Sequence, residues 1–360
     1  MNSDSHNLAL EPLGAGDLID RAVRLYRRHF LTLIRIAAPP VLVSAVGSAL
    51  ITIAWRALSI TSSEMDVVIY ILLLIAGVVI AICGALFSLI VMGGATRNLV
   101  AHLLWNEPVA FRTTYRAVKS RFWGLFFASV LVGLWLVFSM IIASMGYGFL
   151  SIIMFMAVAI GSQISPWIST IIVIIATIVA IGLALTLFFL LAGRMAYVPQ
   201  AMLVEGRTIA SAIGRSFSLA SGNVKRLMAM TLFTLFSTYS ALAILIVPLI
   251  WYGWLNGLNL SVFGGESPTW FTIGYQVILQ CSHILLAPIW MLGLSLLYVD
   301  ERVRHEGYDI ELMAARQLPE MPQLPGVVSP FAPALVTGRA PQFVAPPPAP
   351  LHTGTVLGLN

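Results

Sequence analysis

Charge is what this sequence has least of. Only 10% of its 360 residues are Asp, Glu, Lys or Arg, against 59% hydrophobic residues and a mean hydropathy of +0.93. A soluble domain carries roughly 25% charged residues, and so few would not keep a globular surface of this size in water. A bilayer is the solvent that fits. Cysteine is scarce too. Cys83 and Cys281 stand alone inside apolar runs, in no CxxC or metal-ligand spacing, and read as small buried hydrophobes. No cleavable leader is visible: the first thirty residues hold Arg21, Arg24, Arg27 and Arg28 but no apolar core ending in a small-residue cleavage site. Insertion is therefore expected to begin with the first span itself.

Signatures of catalysis are also missing. The chain has no phosphate-binding GxxxxGK[ST] loop, HExxH, GxSxG or nucleotide-binding glycine fingerprint, and its six histidines are scattered. No catalytic residue, cofactor or metal is expected. The spacing Gly253-x-x-x-Gly257 suits helix dimerisation but falls in an expected outer loop.

What is present is long apolar runs. A spanning helix needs about 20 predominantly apolar residues, and six stretches qualify: 39–57, 67–93, 122–144, 168–191, 227–251 and 273–298. Gly146–Gly161 is apolar too, but it is short, carries Gly146 and Gly148, and reads as interfacial or re-entrant. The spacing of charge supports that parity. Basic residues gather before the first span (Arg21, Arg24, Arg27, Arg28), in the second connection (Arg97, Arg112, Arg116, Lys119, Arg121), in the fourth (Arg194, Arg207, Arg215, Lys225, Arg226) and after the sixth (Arg302, Arg304). The first connection has only Arg56, and the third and fifth have none. Short loops rich in Lys and Arg stay in the cytoplasm. Six spans with both chain ends in the cytoplasm of a bacterial inner membrane satisfy this, and a seventh would turn a basic segment outward. The same distribution removes a nucleic-acid reading of the net charge of +5, because the cations line membrane edges rather than one patch.

The chain also repeats. A basic amphipathic stretch precedes spans one, three and five: Ile19–Phe30, Phe111–Trp123 and Ile209–Leu227. In the first, Leu18, Ala22, Leu25 and His29 share a helical face beside a row of Arg21, Arg24 and Arg28. After each even span an Arg is followed by an acid, as in Arg97 with Glu107 and Arg194 with Glu205. The expected fold is an all-α integral membrane bundle of six spans over residues 1–316, built as three units of interfacial amphipathic helix plus helical pair. Residues 317–360 hold ten prolines and little charge, and are expected to form a disordered cytoplasmic tail.

The basic stretches give the candidate contacts for anionic lipid headgroups or a protein partner: Arg21, Arg24, Arg27, Arg28, Arg116, Lys119, Arg121, Lys225 and Arg226. Deep polar groups are few. Between Val67 and Gly93, Phe122 and Gly193, and Leu227 and Gly265 no Asp, Glu, Lys or Arg occurs. Gln280 and His283, ahead of Pro288, are the candidates for a polar site at depth, although a lone His is more often bonded to a neighbouring helix. Thr231, Thr234, Ser237, Thr238 and Ser240 read as packing residues.

Two stretches resemble a known family. The opening Leu13–Phe30 is similar to the start of bacterial proteins carrying the glycerophosphoryl diester phosphodiesterase membrane domain. The run Leu297–Leu312 resembles that family's closing motif, through Tyr298, Asp300, Arg302, Arg304, Glu306, Gly307 and Asp309. The resemblance covers about residues 13–315. The phosphodiesterase barrel of fused members, with its His-Arg-Gly and Glu-Asn-Thr motifs, has no counterpart here, so the resemblance implies a stand-alone, non-catalytic membrane domain. Two function classes follow: a lipid-handling or envelope-organising membrane protein with anionic lipids or an envelope protein as partners, and a transporter or channel for an apolar or amphipathic solute.

Overall fold

A computed structural model describes residues 14–61, 63–105, 108–257 and 268–306. The tail expected over 317–360 and the motif residues Gly307 and Asp309 lie outside them. The described chain is helical and strand-free: α1 (Ala15–Arg28), α2 (Phe30–Ile60), α3 (Glu64–Trp105), α4 (Phe111–Ser120), α5 (Phe122–Ile164), α6 (Pro166–Ala192), α7 (Val198–Val204), α8 (Ile209–Leu219), α9 (Val224–Leu255) and α10 (Thr269–Glu306). Six helices are long and apolar enough to cross a membrane, which makes this a multi-pass membrane protein. The three units are present. Short helices α1, α4 and α8 each precede a helical hairpin: α2 with α3, α5 with α6, and α9 with α10.

The hairpins run well past the apolar windows read from the sequence. Helix α3 continues beyond Gly93 to Trp105, and α10 beyond Tyr298 to Glu306. These extensions, with the starts of α2, α5 and α9 and the short helices, form a packed hub at one end of the bundle. One core cluster joins Leu18, Ala22 and Leu25 of α1 to Ile36, Val91, Leu99, Leu297 and Tyr298, and a second joins Leu125, Ala128 and Val132 of α5 to Val198, Ala201, Met202 and Leu203 of α7. Beyond the hub the hairpins extend as arms that expose Ile, Leu, Val and Phe on most faces. Only 6% of the apolar window of α6 and 11% of those of α3 and α9 are buried.

Segment 146–161 corrects the expectation of an interfacial or re-entrant piece. It is the outer part of α5, unbroken from Phe122 to Ile164. A helical glycine costs only about 1 kcal/mol, and here small residues admit α6: a Cβ at Gly146 would lie 3.4 Å from Leu187, and one at Gly161 2.8 Å from Ile172. Cys83 and Cys281 differ as well. Both are exposed on arm helices rather than buried, which suits small apolar side chains facing lipid.

The apolar faces of the short helices are covered by protein, and the covering is cyclic. Pro40 inside α2 cannot donate to the carbonyl of Ile36. The Tyr115 hydroxyl of α4 donates to that carbonyl instead, at 3.0 Å. Near Pro288 in α10, the Tyr26 hydroxyl of α1 donates to the carbonyl of Leu285 at 2.5 Å. Where α6 gives way to a 3-10 turn at Gly193–Met195, the Ser216 hydroxyl of α8 donates to the carbonyl of Arg194 at 2.8 Å. The short helix of each unit thus donates a side-chain hydroxyl to a main-chain carbonyl of the preceding unit, and the first donates to the third. This closes a ring of three.

Candidate functional site

The hub's charged centre begins at α7. This short helix is buried along its whole length (Val198–Val204) and delivers Glu205 at its C-terminus, where Gly206 turns the chain at φ 68°. The Glu205 side chain is 2% exposed. It accepts hydrogen bonds from the Tyr298 hydroxyl at 2.7 Å, from Arg207 Nε at 2.6 Å and from Arg215 Nε at 3.1 Å, and Arg302 Nε lies 3.8 Å away. Burial pushes its pKa up, but Arg302, the Tyr298 hydroxyl, Arg215 and Arg207 together outweigh burial and hold the carboxyl below its ordinary range.

A second cluster lies one turn along α10. Arg226, at the start of α9, donates to both Asp300 and Glu301. Arg304 Nε donates to Asp300 at 2.9 Å, and His305 Nε2 lies 3.3 Å from Glu301. Arg302 is fully buried, its guanidinium 5.9 Å from the centre of the Tyr298 ring. The closing motif residues Tyr298, Asp300, Arg302 and Arg304 are therefore the keystone of the hub, locking α10 to α7, α8 and α9. Helix α10 is interior from Met291 to Val303, and Arg304 and His305 beyond it are exposed. Of the remaining motif positions, the Glu306 side chain lies outside the described residues.

The candidate contact residues divide. Arg24, Arg27, Arg28, Arg116, Lys119, Arg121 and Lys225 are exposed on the hub. Arg121 also reaches the Met202 carbonyl at 3.4 Å. Arg21 and Arg226 turn inward. Arg226 is held by the two acids, and Arg21 is 8% exposed, with Nε and Nη2 buried and without a hydrogen-bond partner. Burial lowers the Arg21 pKa, and Arg24 lowers it further while Asp300 opposes both. The inward turn follows from helix geometry: Arg21 sits three residues after Leu18 and four before Leu25, on the face that packs against α10.

The deep polar pair also separates. Gln280 Nε2 donates to Ser48 Oγ of α2 at 2.7 Å, and Gln276 Nε2 to the same oxygen at 2.8 Å. This is a helix-to-helix clasp rather than a lined site. His283 is half-buried with no such clasp. Among the described residues no three His, Cys, Asp or Glu side chains are grouped to hold a metal.

Sequence reasoning missed the part played by Glu205 and α7, along with Tyr197 and Asn223. The apolar run Val198–Val204 followed by Glu-Gly was the available signal, hidden because it follows the fourth span after a short gap whose one charged residue is Arg194. Asn223 is 2% exposed and donates to the Tyr197 hydroxyl, and its Oδ1 is buried without a partner. In comparisons with known proteins, no family model, curated protein or solved structure matches this chain.

Proposed function

We propose that this protein is a non-catalytic, multi-pass protein of the bacterial cytoplasmic membrane, of the stand-alone glycerophosphoryl diester phosphodiesterase membrane domain type. On this reading its hub lies at the inner face with both chain ends, where it holds anionic lipid headgroups, handling lipid or organising an envelope partner upon them. One observation carries the reading: the hub sorts its cations. Buried carboxylates take up Arg207, Arg215, Arg226, Arg302 and Arg304. Exposed Arg24, Arg27, Arg28, Arg116, Lys119 and Lys225 have no carboxylate partner among the described residues. The unpaired set occupies short helices and helix starts from all three units, at the end where the apolar arms begin. Each Lys or Arg near an anionic membrane surface contributes about 1 kcal/mol.

The test is native mass spectrometry of the protein extracted with its own lipids in polymer nanodiscs, beside the Arg24→Gln, Arg27→Gln, Arg28→Gln triple variant. The expected result is enrichment of anionic lipid on the native protein and a clear loss in the variant, with insertion unchanged. Equal lipid profiles for the two would sink the reading. A stoichiometric protein companion that departs with the three arginines would support the envelope-organising form.

A further inference from the structure

Where α6 meets the α8–α9 turn there is a shallow, open cleft with about 10 Å³ of enclosed space, lined by Leu190, Gly193, Arg194, Tyr197, Asn223 and Leu227 among others. Three features of it point to a ligand. The Arg194 side chain is exposed and carries no hydrogen bond or carboxylate partner among the described residues, yet it is held in place. Its guanidinium sits 5.7 Å from the centre of the Phe217 ring, and Ser216 pins the main chain by donating to the Arg194 carbonyl at 2.8 Å and accepting from the Tyr197 N–H at 3.1 Å. Asn223 lines the same cleft, and its buried Oδ1 has no donor. An unpaired buried acceptor is destabilising, so a site that keeps one is poised for a donor. Asn223 also opens α9, a 32-residue helix with no side-chain cap, whose positive end favours an anion.

We propose that this seam binds the phosphate of a membrane phospholipid whose headgroup also carries a hydrogen-bond donor. Arg194 and the start of α9 take the phosphate, and Asn223 Oδ1 accepts from a headgroup hydroxyl or ammonium. Phosphatidylglycerol and phosphatidylethanolamine have that donor, and phosphatidylcholine does not. The level is right for a headgroup: Arg194 follows the last residue of α6 by two positions, where the apolar arm gives way to the hub, and Leu190 and Leu227 continue the wall toward the acyl chains. The quasi-equivalent seam provides an internal contrast. There the junction residue is His29, whose Nε2 is likewise buried without a partner, and the rest of the lining is apolar (Leu25, Leu33, Ile36, Leu99 and Met291 among others) with no Lys or Arg. It lacks the guanidinium that the α6 seam offers a phosphate.

This inference names a site for the lipid-holding reading above and rests on it. The test titrates the delipidated full-length protein in detergent with short-chain phosphatidylglycerol, phosphatidylethanolamine and phosphatidylcholine, and with free glycerol phosphate, counting bound lipid by native mass spectrometry. One phosphatidylglycerol or phosphatidylethanolamine per chain should bind ahead of phosphatidylcholine. Arg194→Gln, at an exposed position where folding is not at stake, should weaken that binding roughly tenfold, the loss of about one charge-assisted hydrogen bond. Asn223→Leu should erase the preference over phosphatidylcholine, and His29→Gln should change nothing. Unaltered lipid binding in Arg194→Gln overturns the site while leaving the lipid-holding reading intact. A native protein that binds no lipid overturns both, and glycerol phosphate binding as tightly as the lipid makes the site one for a soluble phosphate and overturns the lipid assignment.

Discussion

The hub and the arms belong to one set of helices but are held by different forces. Helix α5 illustrates both: Leu125 and Ala128 are fully buried at its start, while Phe155, about eight turns on, is 75% exposed. In the hub, apolar burial encloses charge that is matched carboxylate by guanidinium. In the arms, apolar side chains gain nothing by leaving lipid for protein, so association rests on close van der Waals approach and small residues. The first hairpin has that geometry. A Cβ at Gly47 would lie 2.7 Å from the Cα of Ala81, and one at Gly84 would lie 2.8 Å from that of Ser44. The arms follow the rules of a bilayer, and the hub those of a water-soluble core on which polar groups must be satisfied.

The sharpest way to break this contrast is to remove the hub's central acid. Glu205→Ala removes the buried carboxylate that Arg302, with 0% side-chain exposure, and Arg215 face. Breaking a buried pair from one side costs about 3–5 kcal/mol, so the detergent-solubilised variant should unfold at a much lower temperature or fail to be recovered. The same residue predicts an acid limit. Its carboxyl is held below the ordinary value of 4.5, so its stabilisation is complete above that value and is lost as pH falls through the lower folded pKa. Glu205→Gln should flatten this part of the stability–pH curve measured by thermal unfolding. An unchanged acid limb would show that other carboxylates dominate.

A smaller effect tests how the arms cohere. Gly47→Val forces a branched side chain against the main chain of α3, and overpacking of this kind costs about 1–3 kcal/mol. Gly148→Val, on an arm position with nothing within 4 Å of its Cβ, should cost far less. Thermal unfolding of the two variants in the same detergent separates them. Equal losses would mean that helix propensity, not helix approach, sets the arm's tolerance.

Much of the fold was legible because apolar length and the placement of Lys and Arg are sequence properties. The six long helices, the three short basic helices and their order in the chain follow from them. The hub was not legible, for a physical reason. A hydrophobic run does not reveal whether lipid or protein covers it, so the extensions of α3 and α10 and the buried α7 read as span ends or loops. For the same reason Gly146 and Gly148 read as an interruption, since the approach of Leu187 of α6 to Gly146 is not visible in the sequence. Within the candidate site, the Arg-then-acid pattern marked Glu205 but could not indicate which arginines would turn toward it. Arg226 and Arg21 read like their exposed neighbours, and only packing across units distinguishes them.

The cyclic docking makes a prediction near 1 kcal/mol. Tyr115→Phe removes the hydroxyl that serves the Ile36 carbonyl beside Pro40, and Tyr26→Phe does the same for Leu285 near Pro288. Burial pushes the Tyr115 pKa up to about 12 and raises that of Tyr26, so both hydroxyls stay donors across the accessible pH range. Each loss should cost about 0.5–1.5 kcal/mol. The double variant should be additive, because the two contacts share no residue. A strong interaction between them would mean that the ring of three responds as one unit.

The smallest expected effect lies at the far end of α5. Phe155→Ala trims a side chain that is 75% exposed, whereas Leu125→Ala on the same helix opens a cavity in the core. The core change should cost about 2–5 kcal/mol. The arm change should stay within about 0.5 kcal/mol, as substitutions away from packed features do. The measurement also bears on how far α5 reaches, since its 43 residues at 1.5 Å each come to about 64 Å, roughly twice a hydrocarbon core of about 30 Å. A neutral Phe155→Ala in detergent, equally neutral in native nanodiscs, means that no protein packs on the outer arm at Phe155. A loss that appears only in native membranes would mean that protein covers Phe155 there, and the outer half of α5 would then belong to an interface rather than to the lipid-facing arm.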